Sequence, residues 1–223
     1  RGSTDPEIPG IRKRVIGGYD FIHFEDDSLY LQEICDEEKA QLLISTYHTY
    51  AENTHTLIML HDMIPEMTGQ DLTVPEWRAK TKAIDKASAF FAVSQSTMDD
   101  FRMLYPQYED KPVFLTPNAV SGDFRSHSLT EIADFKQKYN IHKPYFMVMG
   151  HRMQYKNAIL FFRAFSLLPN KADFAILCTG GEAKLERCFL PSVRGIEHQV
   201  LFLSDEELSI ALSGAIALVY PSR

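Results

Sequence analysis

Cysteine is scarce: the chain carries three, Cys35, Cys178 and Cys188, an odd number without a CxxC pair. Neither a disulfide framework nor a zinc site of paired thiolates is therefore expected, and a reducing cytoplasm is the simplest setting. No apolar run approaches the ~20 residues that cross a bilayer, and the N-terminal stretch lacks the apolar centre of a signal peptide. Positive charge is in deficit too. With 23 Lys and Arg against 30 Asp and Glu, the formal net charge is −7, so the basic stripe of a general nucleic-acid binder is missing and no nucleic-acid partner is expected. Any anion site must be local. Fixed-period repeats and low-complexity segments are absent as well.

What is there is 223 residues of ordinary globular composition, 45% hydrophobic and 24% charged, enough for one large core or two small ones. The opening Arg1-Gly2-Ser3-Thr4-Asp5-Pro6 has no periodicity and reads as an expression scar or a loop remnant. Short apolar runs then recur as strands: Tyr19 to Phe24, Leu42 to Ser45, Thr56 to Leu60, Ala89 to Val93, Pro112 to Thr116, Tyr145 to Met149, Phe174 to Cys178, Val200 to Leu203 and Ala215 to Tyr220. Helices fit between them. Thr73 with Glu76, Ser96 with Asp99, Ser128 with Glu131 and Ser204 with Glu207 have the spacing of capping boxes. Ser94 and Ser96 read as turn and cap residues. After Asn157, Ile159, Phe162 and Phe165 with Leu160, Ala164 and Leu167 form one broad apolar side.

Strand and helix alternating throughout predict α/β architecture with parallel sheets covered on both faces. Periodicity stops at Pro117-Asn118 and turn formers collect over Ser121 to Ser128. Residues 1–120 are thus expected to form a first domain, 121–142 a linker and connecting helix, and 143–223 a second domain.

The stretch Tyr145 to Asn157 carries the sharpest chemistry. A strand ends at Gly150, the cations Arg152 and Lys156 follow, and a helix opens at Asn157. Ligands of parallel α/β sheets bind beyond the strands' carboxyl ends, and a helix N-terminus there offers unpaired N–H groups to an anion. Gly150 lets the backbone come close, Arg152 can fork onto phosphate oxygens, and Lys156 adds a point charge. A diphosphate suits that set. The loop His61-Asp62-Met63-Ile64-Pro65-Glu66, directly after a buried strand, is the other place where chemistry is expected. His48, His55 and His61 fit no standard metal geometry.

In order, HDMIPE at His61 to Glu66, AVSQST at Ala92 to Thr97, TPNAV at Thr116 to Val120, GHRMQYKN at Gly150 to Asn157, VLFLSDEEL at Val200 to Leu208 and YPSR at Tyr220 to Arg223 resemble landmarks of the retaining glycosyltransferases of the GT4 family. The resemblance implies a GT-B fold, two Rossmann-like domains facing a cleft, both incomplete in this chain. It implies transfer of a sugar from a nucleotide-diphosphate sugar to a glycan or lipid-linked acceptor, with retention, no metal and no cofactor. Arg152 and Lys156 match the pair that binds the donor diphosphate and stabilises the leaving nucleoside diphosphate. His61 matches a residue facing the transferred sugar, with Asp62 holding the loop. Leu201, Phe202 and Leu203 resemble the strand edge whose backbone contacts the base, and Gly180-Gly181 the neighbouring turn. Asn118 would lie near the interdomain crossing, and Ser94 belongs to the matched AVSQST.

The family's two glutamates after YPS are not in this chain, nor is its N-terminal glycine loop, so the resemblance implies a middle portion of a longer enzyme, inactive by itself. Lipid-linked acceptors of relatives would bring it to the inner face of the membrane, although no basic amphipathic helix argues for peripheral contact. Three alternatives stay open. Glu25-Asp26-Asp27, after the expected strand Tyr19 to Phe24, could hold a divalent ion in a metal-dependent GT-A transferase. A non-catalytic sugar-nucleotide-binding subunit would keep the fold alone. A sugar-nucleotide epimerase would share the two-domain architecture.

Overall fold

The computed structural model describes residues 9–222. The opening hexapeptide and Arg223 of YPSR therefore lie outside the described residues. The chain divides into two compact units, Arg1–Asn118 and Ala119–Arg223.

The first unit begins differently from its sequence reading. Residues 19–23 form no strand, and α1 (Phe24–Glu37) starts where the strand was expected to end. The cause is local. The Asp20 carboxylate accepts the Ile22 N–H at 2.8 Å and faces the His23 ring at 2.7 Å, which turns the chain. Glu25, Asp26 and Asp27 then occupy the first helical turn, where the helix dipole favours carboxylates. Tyr19 and Phe21 pack on the core without joining a ladder.

β1 (Leu42–Ser45), β2 (His55–Leu60), α2 (Ile64–Met67), α3 (Pro75–Lys86), β3 (Ala89–Ala92), α4 (Gln95–Leu104) and β4 (Val113–Leu115) complete the unit. The strands form one parallel sheet in the order β1-β2-β3-β4. Two caps differ from expectation. The Thr73 hydroxyl is taken by Asp71 at 2.6 Å, so α3 opens on Pro75 without a side-chain cap. α4 is capped by Ser94, not Ser96: its Oγ accepts the Thr97 N–H at 3.1 Å. Ile58 and Leu60 of β2 meet Ala83 and Ile84 of α3, with Phe90 against Phe101, to make the core.

The second unit holds α5 (Leu129–Lys138), β5 (Tyr145–Met149), α6 (Ala158–Ser166), β6 (Ala175–Thr179), β7 (Glu197–Leu201), α7 (Asp205–Gly214) and β8 (Ala217–Val219). Both capping boxes expected here are formed, Ser128 with Glu131 and Ser204 with Glu207. All strands are parallel, in the order β7-β6-β5-β8. β7 starts earlier than its apolar run because the register pairs polar Glu197 with Ala175, and it ends where β6 ends, Thr179 opposite Leu201. Phe202 and Leu203 fall beyond it.

Alternation along the strands splits the core in two. Val148, Ile176 and Cys178 face Phe162, Phe165 and Phe189, whereas Tyr145, Met147 and Leu177 face Phe135 and Ala211. β6 is buried at every position, as a strand covered on both faces must be. The apolar side of α6 is narrower than its sequence suggests: Ala158, Phe162 and Phe165 are buried while Leu160 and Leu167 face solvent.

Candidate functional site

In the second unit the strand order turns back at β5. Successive strands run from β5 through β6 to β7, and β8 then returns to the opposite side of β5. The carboxyl ends of β5 and β8 therefore mark the switch point, the position at which open α/β sheets take ligands.

Three glycines shape the turns that follow β5 and β6. Gly150, Gly180 and Gly181 all have positive φ, +79°, +73° and +69°. A Cβ on Gly180 would lie 3.1 Å from the Gly150 Cα, and one on Gly181 would lie 3.1 Å from the Gly150 carbonyl oxygen. The turns after β5 and β6 thus interlock so closely that a Cβ would push on the Gly150 backbone, and their positive φ favours glycine as well. A Cβ on Gly150 itself would meet nothing within 4 Å, so that side of the turn is open.

Arg152 is not presented to solvent. It is 1% exposed, and its guanidinium faces inward. Nε donates to Glu186 at 2.9 Å, while Nη1 donates to the Gly180 carbonyl at 2.7 Å and Nη2 to that of Glu182 at 2.8 Å. The expected fork onto phosphate is occupied by the protein's own acceptors. Nearby burial pushes the Cys178 thiol up to about 12, with Glu186 adding to that and Arg152 opposing it. Lys156 differs. It ends the 3-10 turn Gln154–Lys156, half-buried, and its ammonium lies over the Tyr155 and Tyr220 rings at 5.0 and 4.4 Å and bonds the Tyr220 hydroxyl. Asn157 has left-handed backbone and donates to the Pro221 carbonyl at 3.3 Å, tying the segment after β8 to the start of α6. Leu201 and Leu203 pack on the core and Phe202 is 69% exposed.

The first unit carries a separate pocket of about 170 Å³ between the end of β2 and α3. His61 lines it, with its Nε2 at 2.8 Å from the Thr46 carbonyl, as does Asp62, whose carboxylate accepts the Ile64 N–H at 3.0 Å. Lys80, also in the wall, is neutralised by Glu66 at 2.8 Å in a buried pair, and donates to the Asp62 carbonyl at 2.9 Å. Tyr105 donates to the same Glu66, and burial first, then that carboxylate, drive the phenol beyond its ordinary range. His48 and Trp77 complete the pocket with their rings. Ser94 serves as the α4 cap, and exposed Asn118 is the last residue of its unit.

Glu186, Tyr220, His48 and Trp77 were not read as site residues from sequence. Glu186 sits 34 residues from Arg152, and no local spacing marks it. Glu25, Asp26 and Asp27 lie on a helical turn and not after a strand, which removes the premise of the metal-dependent alternative. Among the described residues no group of three or more His, Cys, Asp or Glu is placed to hold a metal ion. Nor is any helix among them long and apolar enough to cross a membrane.

No protein-family model and no curated protein matches the chain. Among solved structures, it is similar over 98% of its length to WaaG, a glycosyltransferase involved in lipopolysaccharide biosynthesis, at a TM-score of 0.72 and 11% identity, covering 64% of that chain. It is similar over 87% to Anabaena HepE in complex with UDP-glucose, at a TM-score of 0.63 and 12% identity, covering 56%. A glycosyltransferase from Rickettsia africae matches over 95% at a TM-score of 0.62 and 13% identity, covering 59%. The chain thus spans less than two thirds of the length of these neighbours. Two Rossmann-like units with parallel sheets, one turning back at β5, give this chain the fold of the GT-B glycosyltransferases.

Proposed function

We propose that the protein transfers a sugar from a nucleotide-diphosphate sugar to a glycan or lipid-linked acceptor, with retention and without a metal, and that UDP is the nucleotide. The observation that carries this reading is the switch point of the second unit, flanked by the Gly150 turn, Lys156 and the start of α6, in a fold shared with HepE, whose structure holds UDP-glucose. In this reading the diphosphate lies over the open side of Gly150, and Lys156 leaves its tyrosines to meet it. As the glycosidic bond breaks, negative charge grows on the departing phosphate, and a cation brought against it lowers the barrier. Arg152 acts through the turn it fastens. A direct phosphate contact would cost it Glu186 and the Gly180 carbonyl. The Leu201–Leu203 edge and the Gly180-Gly181 turn are the proposed base contacts, and His61 and Asp62 the residues nearest the transferred sugar.

Calorimetric titration of the full chain with UDP in EDTA tests this. Binding is expected without metal, and Lys156→Ala should weaken it at least ~10-fold, about the worth of one charge-assisted hydrogen bond. Metal-dependent binding, or a Lys156→Ala variant that binds as tightly as wild type, would sink the reading.

A further inference from the structure

We propose that the open face of the first unit's sheet pairs with the same face of a second copy of this chain, making a weak twofold dimer. The inference rests on the first unit alone and is independent of the glycosyl-transfer reading.

Topology leaves that face bare. The strands are parallel and lie in sequence order, β1-β2-β3-β4, so every crossover steps in the same direction. Right-handed crossovers that never reverse put all their connections on one side of a sheet. Accordingly, α1, α3 and α4 send Phe24, Ala83, Ile84 and Phe101 into a single core with Ile58, Leu60 and Phe90. The second unit escapes this because β8 turns back, which brings Ala211 of α7 onto its other face.

The register identifies the side chains left out. Alternation points Leu57 and Met59 away from the side taken by Ile58 and Leu60, and parallel pairing lines Ile44 up with Leu57, and Met59 with Phe91 and Phe114. Leu42 continues the same face along the edge strand. All six are apolar, yet Leu42, Ile44 and Phe114 are 46%, 55% and 50% exposed, and the other three are only partly buried. Parallel sheets ordinarily have both faces covered.

Charge and area select the occupant. A twofold contact sets a face against itself, so any charge on it would meet its own kind. This face carries none. Its remaining paired positions are Ala89 and His55, whose ring lies 3.1 Å from the Ser88 hydroxyl at the amino end. An anionic bilayer suits it less, because the chain as a whole has a net charge of −7. Strands about 4.8 Å apart and three to six residues long make a patch roughly 15–20 Å on a side, a few hundred Å² per copy. That is less than the ~800 Å² per partner of a standard interface and belongs with weak complexes.

Sedimentation equilibrium of the full chain, from about 1 to 200 μM, tests this, and a Kd of roughly 10–100 μM is expected. Ile44→Lys and Phe114→Lys place a charge on the face and should each weaken the dimer at least ~10-fold. Both side chains are exposed already, so both variants should fold, which Trp77 fluorescence checks. Leu115→Lys is the control: it is 48% exposed but points to the opposite side of β4 and should leave the dimer intact. With no charge on the face and −7 on each copy, added salt should tighten the association. A monomer at every concentration, a dimer indifferent to both face substitutions, or one lost equally with Leu115→Lys would overturn the inference. So would a monomer that co-sediments with phosphatidylglycerol vesicles, which makes lipid the occupant.

Discussion

Replacing Glu186 by alanine should destabilise the second unit more than almost any other change to a charged residue. The Arg152 side chain is fully buried, and Glu186 at 2.9 Å is its only carboxylate partner among the ion pairs of the described residues. Removing that carboxylate leaves a guanidinium in the interior with carbonyl acceptors but no counter-charge. Breaking one side of such a pair costs about 3–5 kcal/mol, roughly a fifth or more of the ~5–15 kcal/mol that holds a typical domain. Part of the native cost is already being borne, since Glu186 Oε1 is buried without a partner. Glu186→Gln, which keeps a hydrogen-bond acceptor but not the charge, should therefore lose less than Glu186→Ala. Urea denaturation followed by circular dichroism measures this. The sole tryptophan, Trp77, lies in the first unit, so its fluorescence reports that unit separately. A loss below ~1 kcal/mol for Glu186→Ala would refute the reasoning, and would mean that Arg152 can swing out to solvent and is available to a phosphate after all.

Other perturbations separate local causes. Gly180→Ala and Gly181→Ala drive a Cβ against the Gly150 backbone and should each cost roughly 2–4 kcal/mol in the same denaturation assay, whereas Gly150→Ala meets open space and should cost only the ~1–2 kcal/mol of left-handed backbone. His48 introduces a pH slope. Its pKa falls from the ordinary 6.5 to about 4 on folding, so between those values the unfolded chain binds the extra proton and stability drops as pH falls, by up to about 3 kcal/mol. Comparing urea midpoints of wild type and His48→Phe across that window isolates the contribution; equal slopes would show that the ring is not withdrawn from water. Ser204→Ala should lower stability by ~1 kcal/mol through loss of the α7 cap, and an unchanged melting curve would contradict that role.

Legibility in the sequence followed the range of the interaction. The boxes at Ser128 and Ser204 are complete within four residues and formed as expected. The Thr73–Glu76 pair has the same spacing but loses its hydroxyl to Asp71, a competitor two residues upstream. Tyr19 to Phe24 has the aromatic density of a strand, yet its rings find the core from an irregular segment closed by Asp20. In the candidate site, strand, glycine turn and helix start after Tyr145 were readable because they are contiguous. The direction of the Arg152 side chain was not, since three distant groups set it: Gly180, Glu182 and Glu186. The His48 pocket was hidden for the same reason, being closed by Trp77 from a helix nearly thirty residues on.

The interlocked turns after β5 and β6 have a kinetic consequence. With Gly180 and Gly181 seated on the Gly150 backbone and Arg152 bonded across to the second turn, neither can open without the other. Their amide protons should exchange as one cooperative block, with protection close to that of the neighbouring strands. Under the proposed function, fraying of these turns is then too rare to govern how quickly a nucleotide leaves, and residence time would fall to the side held by side chains alone, where the Lys156 ammonium lies over the Tyr155 and Tyr220 rings.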